Sequence, residues 1–341
     1  MISFASDTWV PVHPHVMQTL REANEGTAPA YGHDEWTARC QDLFKREFGP
    51  DAIAFPVFTG TAANVLCVAS LVREHQTLLL AETAHMNVHE CGAVERFAGC
   101  KLKTVAAPDG RLTLDSLRPY VKGMAPHEGN AGAVSLTQST ELGTTYSLAQ
   151  LEETGEFCRE NDLYFHVDGS RLSNAAAFLD VSLKQLTSDV GVDALSFGGT
   201  KNGLMGTDAV VFFDPELAED FEFTRLQGLN LASKMRFLSA QWVACLEDGL
   251  WKKNAAHANA MAQRLYGKVK DISGLEILQK PEANILFARL PPEAIAELTK
   301  RFAFYVLNPA RHEVRWLTSW DTTEVQVDAF AEALTGVMAS T

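Results

Sequence analysis

An α/β fold with a mainly parallel central sheet, helices on both of its faces and a smaller C-terminal α+β domain is what this sequence predicts. Two patterns carry that expectation. Seven short apolar runs alternate with segments of helical composition between residues 52 and 213, and the rhythm changes after residue 255. Strands alternating with helices build βαβ units. A chain of 341 residues is long enough for one large domain and one small one. The expected division is an N-terminal arm over 1–30, a large domain over 31–250 and a small domain over 251–341.

The arm contains scattered Pro, Gly and polar residues and one short helix around Val16 to Glu25. After Asp34, the residues Trp36, Cys40, Leu43, Phe44 and Phe48 recur at helical spacing, and Gly49-Pro50 ends that helix. The expected strands are 52–58, 77–81, 102–106, 133–137, 163–168, 194–197 and 209–213. Helices are expected at 62–75, 86–97, 113–122, 148–161 and 171–187, followed by a helical stretch over 215–250. The C-terminal part reads as helix, strand at 284–290, helix, two strands around Phe304 and Val314, and helix.

Composition narrows the function. A formal net charge of −14 and a pI near 5.2 repel nucleic acid and anionic membrane surfaces, which excludes both as expected partners. An anionic ligand must then be held by individual arginines or lysines. The six cysteines (Cys40, Cys67, Cys91, Cys100, Cys158, Cys245) form no CxxC pair and read as reduced thiols. The N-terminus has no basic region leading into an apolar stretch, and the longest near-apolar run, Thr61 to Val72, is too short to span a bilayer. The expectation is a soluble, cytoplasmic protein with no metal site.

In sheets of this kind ligands bind beyond the carboxyl ends of the strands, so the residues after each strand matter most. Thr59-Gly60-Thr61 follows the first strand and opens a helix, where free N–H groups and the helix dipole suit an anion; an ordinary Thr cap is the plainer reading. His85 follows the second strand and could stack on a flat ligand or move protons, or simply make a structural hydrogen bond. Asp168 ends the fifth, with Arg171 three residues on; Asp168-Gly169 is also a common turn pair. Gly198-Gly199-Thr200-Lys201 follows the sixth, where a Lys in a closed site can form a Schiff base, although a solvated loop Lys is the commoner case. Together the four fit pyridoxal 5′-phosphate (PLP), which needs a phosphate seat, an amine, a carboxylate facing its ring nitrogen and often a ring stacked on its face.

The stretches SDT (6–8), AYGHDEWTA (30–38), FTGTAAN (58–64), ETAHMNVHECGA (82–93), LTQSTELGTTY (136–146), HVDGSRLSNA (166–175), SFGGTKNG (196–203), SKMRFLSA (233–240) and RWLTSWDT (315–322) run nearly the whole length of the chain. On them the sequence resembles the low-specificity L-threonine aldolases, a PLP-dependent, fold-type-I family of the threonine aldolase/β-eliminating lyase superfamily. The resemblance implies that Lys201 bonds the cofactor aldehyde, Asp168 faces its ring nitrogen, Gly60 and Thr61 hold its phosphate, Thr200 adjoins it and His85 stacks on it. Arg171, Ser6 and Arg315 would receive the substrate carboxylate, and Tyr31 would line the substrate pocket. Arg236 would reach the phosphate, that of a neighbouring subunit included, because the family is usually a homotetramer of two close dimers with shared sites. His127 would lie near the substrate's β-hydroxyl, although its flanks GMAPHEGNAG match poorly. Ser170 stands where Ala is common, and His33 where an acidic residue is common.

The implied activity is retro-aldol cleavage of threonine, allo-threonine or phenylserine to glycine and an aldehyde. His85 is the first choice for the base, with His127 or an ordered water behind it. Other fold-type-I chemistry (β-elimination or transamination), a folate-dependent hydroxymethyl transfer, and a catalytically silent ligand-sensing module remain open on the residues alone.

Overall fold

A computed structural model describes residues 1–121, 127 and 129–340. The strands are β1 (Ile2–Ser3), β2 (Ile53–Val57), β3 (Gln76–Ala81), β4 (Lys101–Val105), β5 (Asn130–Thr137), β6 (Tyr164–Gly169), β7 (Ala194–Phe197), β8 (Asp208–Phe212), β9 (Glu276–Ile277), β10 (Ile285–Arg289), β11 (Phe302–Ala303), β12 (Tyr305–Asn308) and β13 (Glu313–Leu317). The seven expected apolar runs become β2 to β8, which form one sheet in the order β2-β8-β7-β6-β5-β3-β4. The pairings among β4, β3, β5, β6 and β7 are parallel, while β8 runs antiparallel to both of its neighbours.

That arrangement places the site. The strands β2, β3, β5, β6 and β7 end on one edge of the sheet, and β8 begins there, so Asp208 pairs in register with Val57 at the end of β2. Strands β7 and β8 are buried at every position, as expected for strands covered on both faces. The helix Gly60–Leu71 packs on this sheet with most of its side chains buried.

Several expected helices are shorter or broken, for local reasons. The stretch 86–97 splits into His85–Val88 and Ala93–Phe97, because Cys91 and Gly92 both take positive φ (55° and 71°) and turn the chain sharply. The stretch 171–187 ends its helix at Leu179, where Asp180 adopts the left-handed conformation. Of 113–122, Leu114–Leu117 is α-helical and Arg118–Tyr120 forms a tighter turn, and residue 122 lies outside the described residues.

Two hydrophobic cores result. The larger, around the sheet, includes Phe44, Phe48, Phe197 and Trp242 with ring centroids 5.0–6.2 Å apart. The smaller gathers Phe302, Phe330 and Trp316 about a four-stranded antiparallel sheet, β12-β13-β10-β9, of which β9 was not expected. Residues 1–30 do not stand apart from these cores. Strand β1 pairs with β11, and Phe4 is fully buried in the small core, a burial that stabilises by roughly 2–3 kcal/mol. Val16, on the helix Pro14–Ala23, belongs to the large one. The helix Leu250–Val269 joins the cores, contributing Leu250 and Trp251 to the first and Met261, Ala262 and Leu265 to the second. No helix among the described residues is long and apolar enough to cross a membrane.

Candidate active site

A cavity of about 250 Å³ opens at the carboxyl-terminal edge of the large sheet. Gly60, Thr61, His85, Asp168, Thr200 and Lys201 all line it. Gly60 and Thr61 form the first turn of a 12-residue helix, where backbone N–H groups have no partner within the helix. The cap residue Thr59 takes the N–H groups of Ala62 and Ala63. A Cβ built on Gly60 would meet nothing nearer than Asp208 Oδ2 at 3.8 Å, so the space above this helix start is open.

Lys201 sits in a short 3₁₀ turn, Thr200–Asn202, fastened from below. Asp208 Oδ1 accepts from the N–H groups of Gly199 (2.8 Å) and Thr200 (3.3 Å). The two glycines ahead of the turn are required by close backbone approach: a Cβ on Gly198 would lie 2.4 Å from the Ser170 carbonyl, and one on Gly199 2.6 Å from that of Thr207. This contact presses the Lys201 loop against the Asp168–Ser170 loop. Burial, with the Arg171 charge adding to it, holds the Lys201 ammonium below its ordinary value against the opposing pull of Asp7, Asp168 and Asp208. A lysine so placed can present a neutral, nucleophilic amine.

Asp168 is fixed at both oxygens. Ser170 N donates to Oδ1 (3.0 Å) and Asn64 Nδ2 to Oδ2 (2.9 Å). The same Asn64 amide donates to Glu90 Oε1 (2.8 Å), which also lies 2.8 Å from His85 Nδ1. The His85 backbone N–H donates to Glu141 Oε1 (2.7 Å).

Beside the cavity, the segment Ala5 to Thr8 runs past two arginines. Arg171 makes a two-pronged ion pair with Asp7 (2.8 and 3.1 Å). Arg315 donates to the Ala5 carbonyl (3.2 Å), and its buried Nε has no partner. Burial first and the Arg171 charge second hold the Arg315 guanidinium below its usual value. Asp7 itself, despite full burial, is held below the usual carboxylate range by Arg171 and Lys201. Two guanidinium groups against one carboxylate leave a net positive charge, and that suits a carboxylate ligand. Ser6 hydrogen-bonds Thr8, which lines the cavity.

The Beta-eliminating lyase family model matches residues 3–291. A low specificity L-threonine aldolase from a Pseudomonas species is 42% identical over 340 residues, covering 99% of this chain and 98% of that one. The chain belongs to the low-specificity L-threonine aldolase family. The Escherichia coli low specificity L-threonine aldolase is 27% identical, with 96% of each chain covered. The Leishmania major threonine aldolase structure superposes with a TM-score of 0.94 at 27% identity, over 99% of this chain and 100% of that one.

Six residues expected at the site do not line the cavity within one protomer of this threonine aldolase family member: Ser6, Arg171 and Arg315 stand beside it, and Tyr31, Arg236 and His127 lie elsewhere. Tyr31 is exposed, with its N–H donating to the Ser233 carbonyl (3.0 Å), and Arg236 donates to the Gly26 carbonyl (3.2 Å). The two are thus brought to the same 26–31/233–236 surface. His127 lies at the other edge of the sheet in the same protomer. It is exposed and precedes β5, whose first residue Asn130 pairs with Gln76 at the start of β3. The site lies at the other end of β5, where Thr137 pairs with Asp168, roughly 20 Å of strand away. Conversely, sequence reasoning missed Asp7, Asn64, Glu90, Glu141 and Asp208. Four of these are acids, and each acts on another side chain or on a loop backbone.

Glu141 carries a prediction. Burial, then the Asp168 charge, pushes its carboxyl from 4.5 up to about 7, and its Oε2 has no partner. A carboxyl whose folded value is raised stabilises the fold fully below its unfolded value, and that contribution is lost as pH rises through about 7. The shift is worth on the order of 3 kcal/mol. Glu141→Gln mimics the neutral form. In calorimetry of the cofactor-free protein, its Tm should match wild type near pH ~5 and exceed it above pH ~8. Equal Tm values at both ends would refute this.

Proposed function

We propose that this chain is a PLP-dependent lyase that cleaves L-threonine, L-allo-threonine and related β-hydroxy-α-amino acids such as phenylserine to glycine and an aldehyde. The observation that carries this is the buried Lys201 lining one cavity with Asp168, beside the two-arginine pocket. The residues present fit PLP. The open helix start at Gly60 and Thr61 would hold its phosphate, Lys201 would bond its aldehyde, Asp168 would face its ring nitrogen, and His85 would lie on its face. When bound, PLP supplies an aldehyde for the amines and a protonated ring that draws electrons from the substrate's Cα.

The chain's own residues do the rest. Arg171 and Arg315 hold the substrate carboxylate, with Ser6 beside them. Asp7 fixes the Arg171 fork so that the amino acid's orientation is set, and each charge-assisted bond contributes roughly 1.5–3 kcal/mol. That orientation decides which Cα bond stands ready to break, and here it is Cα–Cβ. His85 accepts the β-hydroxyl proton as the aldehyde departs, and Asp168 keeps its charge facing the ring nitrogen. Lys201, with its lowered proton affinity, cycles between amine and ammonium as substrate enters and glycine leaves.

On this reading the cofactor-binding domain is 31–250, the small domain 251–341, and the working unit a cytoplasmic homotetramer in which Tyr31 and Arg236 serve a neighbouring site. The test is to incubate the protein and PLP with L-threonine and L-allo-threonine and assay glycine, acetaldehyde and 2-oxobutyrate separately. Glycine and acetaldehyde in equal amounts are expected, and 2-oxobutyrate would move the assignment to elimination.

A further inference from the structure

We propose that Glu90 is a positioning residue for this reaction: its buried carboxylate holds a proton on Nδ1 of His85 and leaves Nε2 as the ring's proton-accepting atom. The inference rests on reading His85 as the group that takes the β-hydroxyl proton.

Local chain geometry puts Glu90 there. It follows the single helical turn His85–Val88 and precedes the two positive-φ residues Cys91 and Gly92, so the chain folds back and tucks the carboxylate behind the ring. The His85 side chain is 40% exposed while that of Glu90 is 0% exposed, so the ring faces the cavity and the acid backs it. A buried carboxylate costs several kcal/mol unless donors surround it. Here both donors converge on one oxygen: His85 Nδ1 and Asn64 Nδ2 each lie 2.8 Å from Oε1, and Oε2 has no partner.

The proton's position follows from Asn64. Its amide faces two carboxyl groups, Glu90 at 2.8 Å and Asp168 at 2.9 Å, and only the NH₂ end satisfies both. Oε1 of Glu90 is therefore an acceptor, and the ring nitrogen that shares it must be a donor. A neutral imidazole with its proton on Nδ1 has its lone pair on Nε2. The same amide ties this pair to Asp168, so the proton acceptor and the carboxylate facing the cofactor nitrogen belong to one network. Glu90 orients and polarises His85, as a carboxylate behind a catalytic or metal-bound imidazole does elsewhere.

The charged groups around His85 are Glu90, Glu141 at its backbone N–H, His89 with ring centroids 5.5 Å apart, and Asp168, Lys201 and Asp208 on the cavity wall. Glu90→Gln changes only the first. Its amide oxygen still accepts from both partners, and the negative charge is gone. The experiment is a ¹⁵N titration of the histidine side chains in the full-length protein, with and without PLP, with H85N identifying the His85 signals, alongside the pH dependence of threonine cleavage. Wild-type His85 should carry its neutral-form proton on Nδ1. In E90Q that preference should weaken, with part of the neutral-form proton appearing on Nε2. The plateau kcat should drop about tenfold, with KM within about twofold.

A neutral-form proton on Nε2 in the wild type, or an unchanged tautomer balance in E90Q, would overturn the proposal. The wild-type spectrum decides the first point even if E90Q fails to fold. A wild-type proton on Nδ1 in a protein that never cleaves threonine would uphold the proton's placement and sink the reaction assigned above.

Discussion

Lys201→Ala should abolish threonine cleavage, lowering kcat by at least about 10³-fold. No other amine lines the cavity among the described residues. The variant should remain folded, because Lys201 makes no hydrogen bond that holds its loop. The turn is fastened through the Gly199 and Thr200 N–H groups to Asp208, and through Asn202 Nδ2 to the Trp251 carbonyl. Removing a buried ammonium also relieves the desolvation that holds its proton affinity down, so Tm should be unchanged or higher. Activity alone would not separate a lost amine from a lost cofactor. The companion measurement is therefore borohydride reduction of the PLP-loaded protein followed by mass spectrometry: wild type should retain the pyridoxyl mass on the peptide containing Lys201, and the variant should retain none anywhere. Near-native turnover in Lys201→Ala, or labelling at another lysine in wild type, would remove this residue from its role.

For Asp168→Asn, the expected loss is on the order of 10²- to 10³-fold in kcat. Asn keeps the side chain's volume and can still accept from Ser170 N, so that loop bond is retained, while the charge and the bond from Asn64 Nδ2 are lost. On the proposed function, what disappears is the negative charge that would keep the cofactor's ring nitrogen protonated. Because Lys201 is untouched, the variant should still bind PLP covalently and absorb visible light. Stopped-flow assays should then show slow bond cleavage with normal substrate binding, a kcat effect with little change in KM. An unchanged kcat would mean that Asp168 faces something other than the ring nitrogen. A protein that cannot bind PLP at all would mean that its main role is to hold the cradle together.

These two residues were legible in the sequence for the same reason that the sheet was. Both directly follow or end a short apolar strand, and parallel strands deliver their carboxyl ends to one edge. The network behind them was not legible. Glu90 lies in a stretch with helical composition, where a carboxylate reads as a solvated face, and only the backbone turn at Cys91-Gly92 points it inward. Asp7 lies 164 residues from Arg171 and Asn64 lies 104 from Asp168, and nothing local marks those pairings. The placement of His127 within one protomer was also legible. The residue precedes its strand instead of following it, which in a parallel sheet means the opposite edge.

The first few residues couple two parts of the molecule that the sheet alone would leave independent. Strand β1 is zipped to β11, Phe4 is a plug in the small core, and three residues later Asp7 grips Arg171 on the sheet side. This segment is a tether: a rotation of the small unit against the sheet would pull on the Arg171 guanidinium through Asp7. On the proposed function, that would gear substrate binding to any such rotation. An insertion between Ile2 and Asp7, unlike an appendage on the exposed Met1, would disturb a strand, a core plug and an ion pair at once.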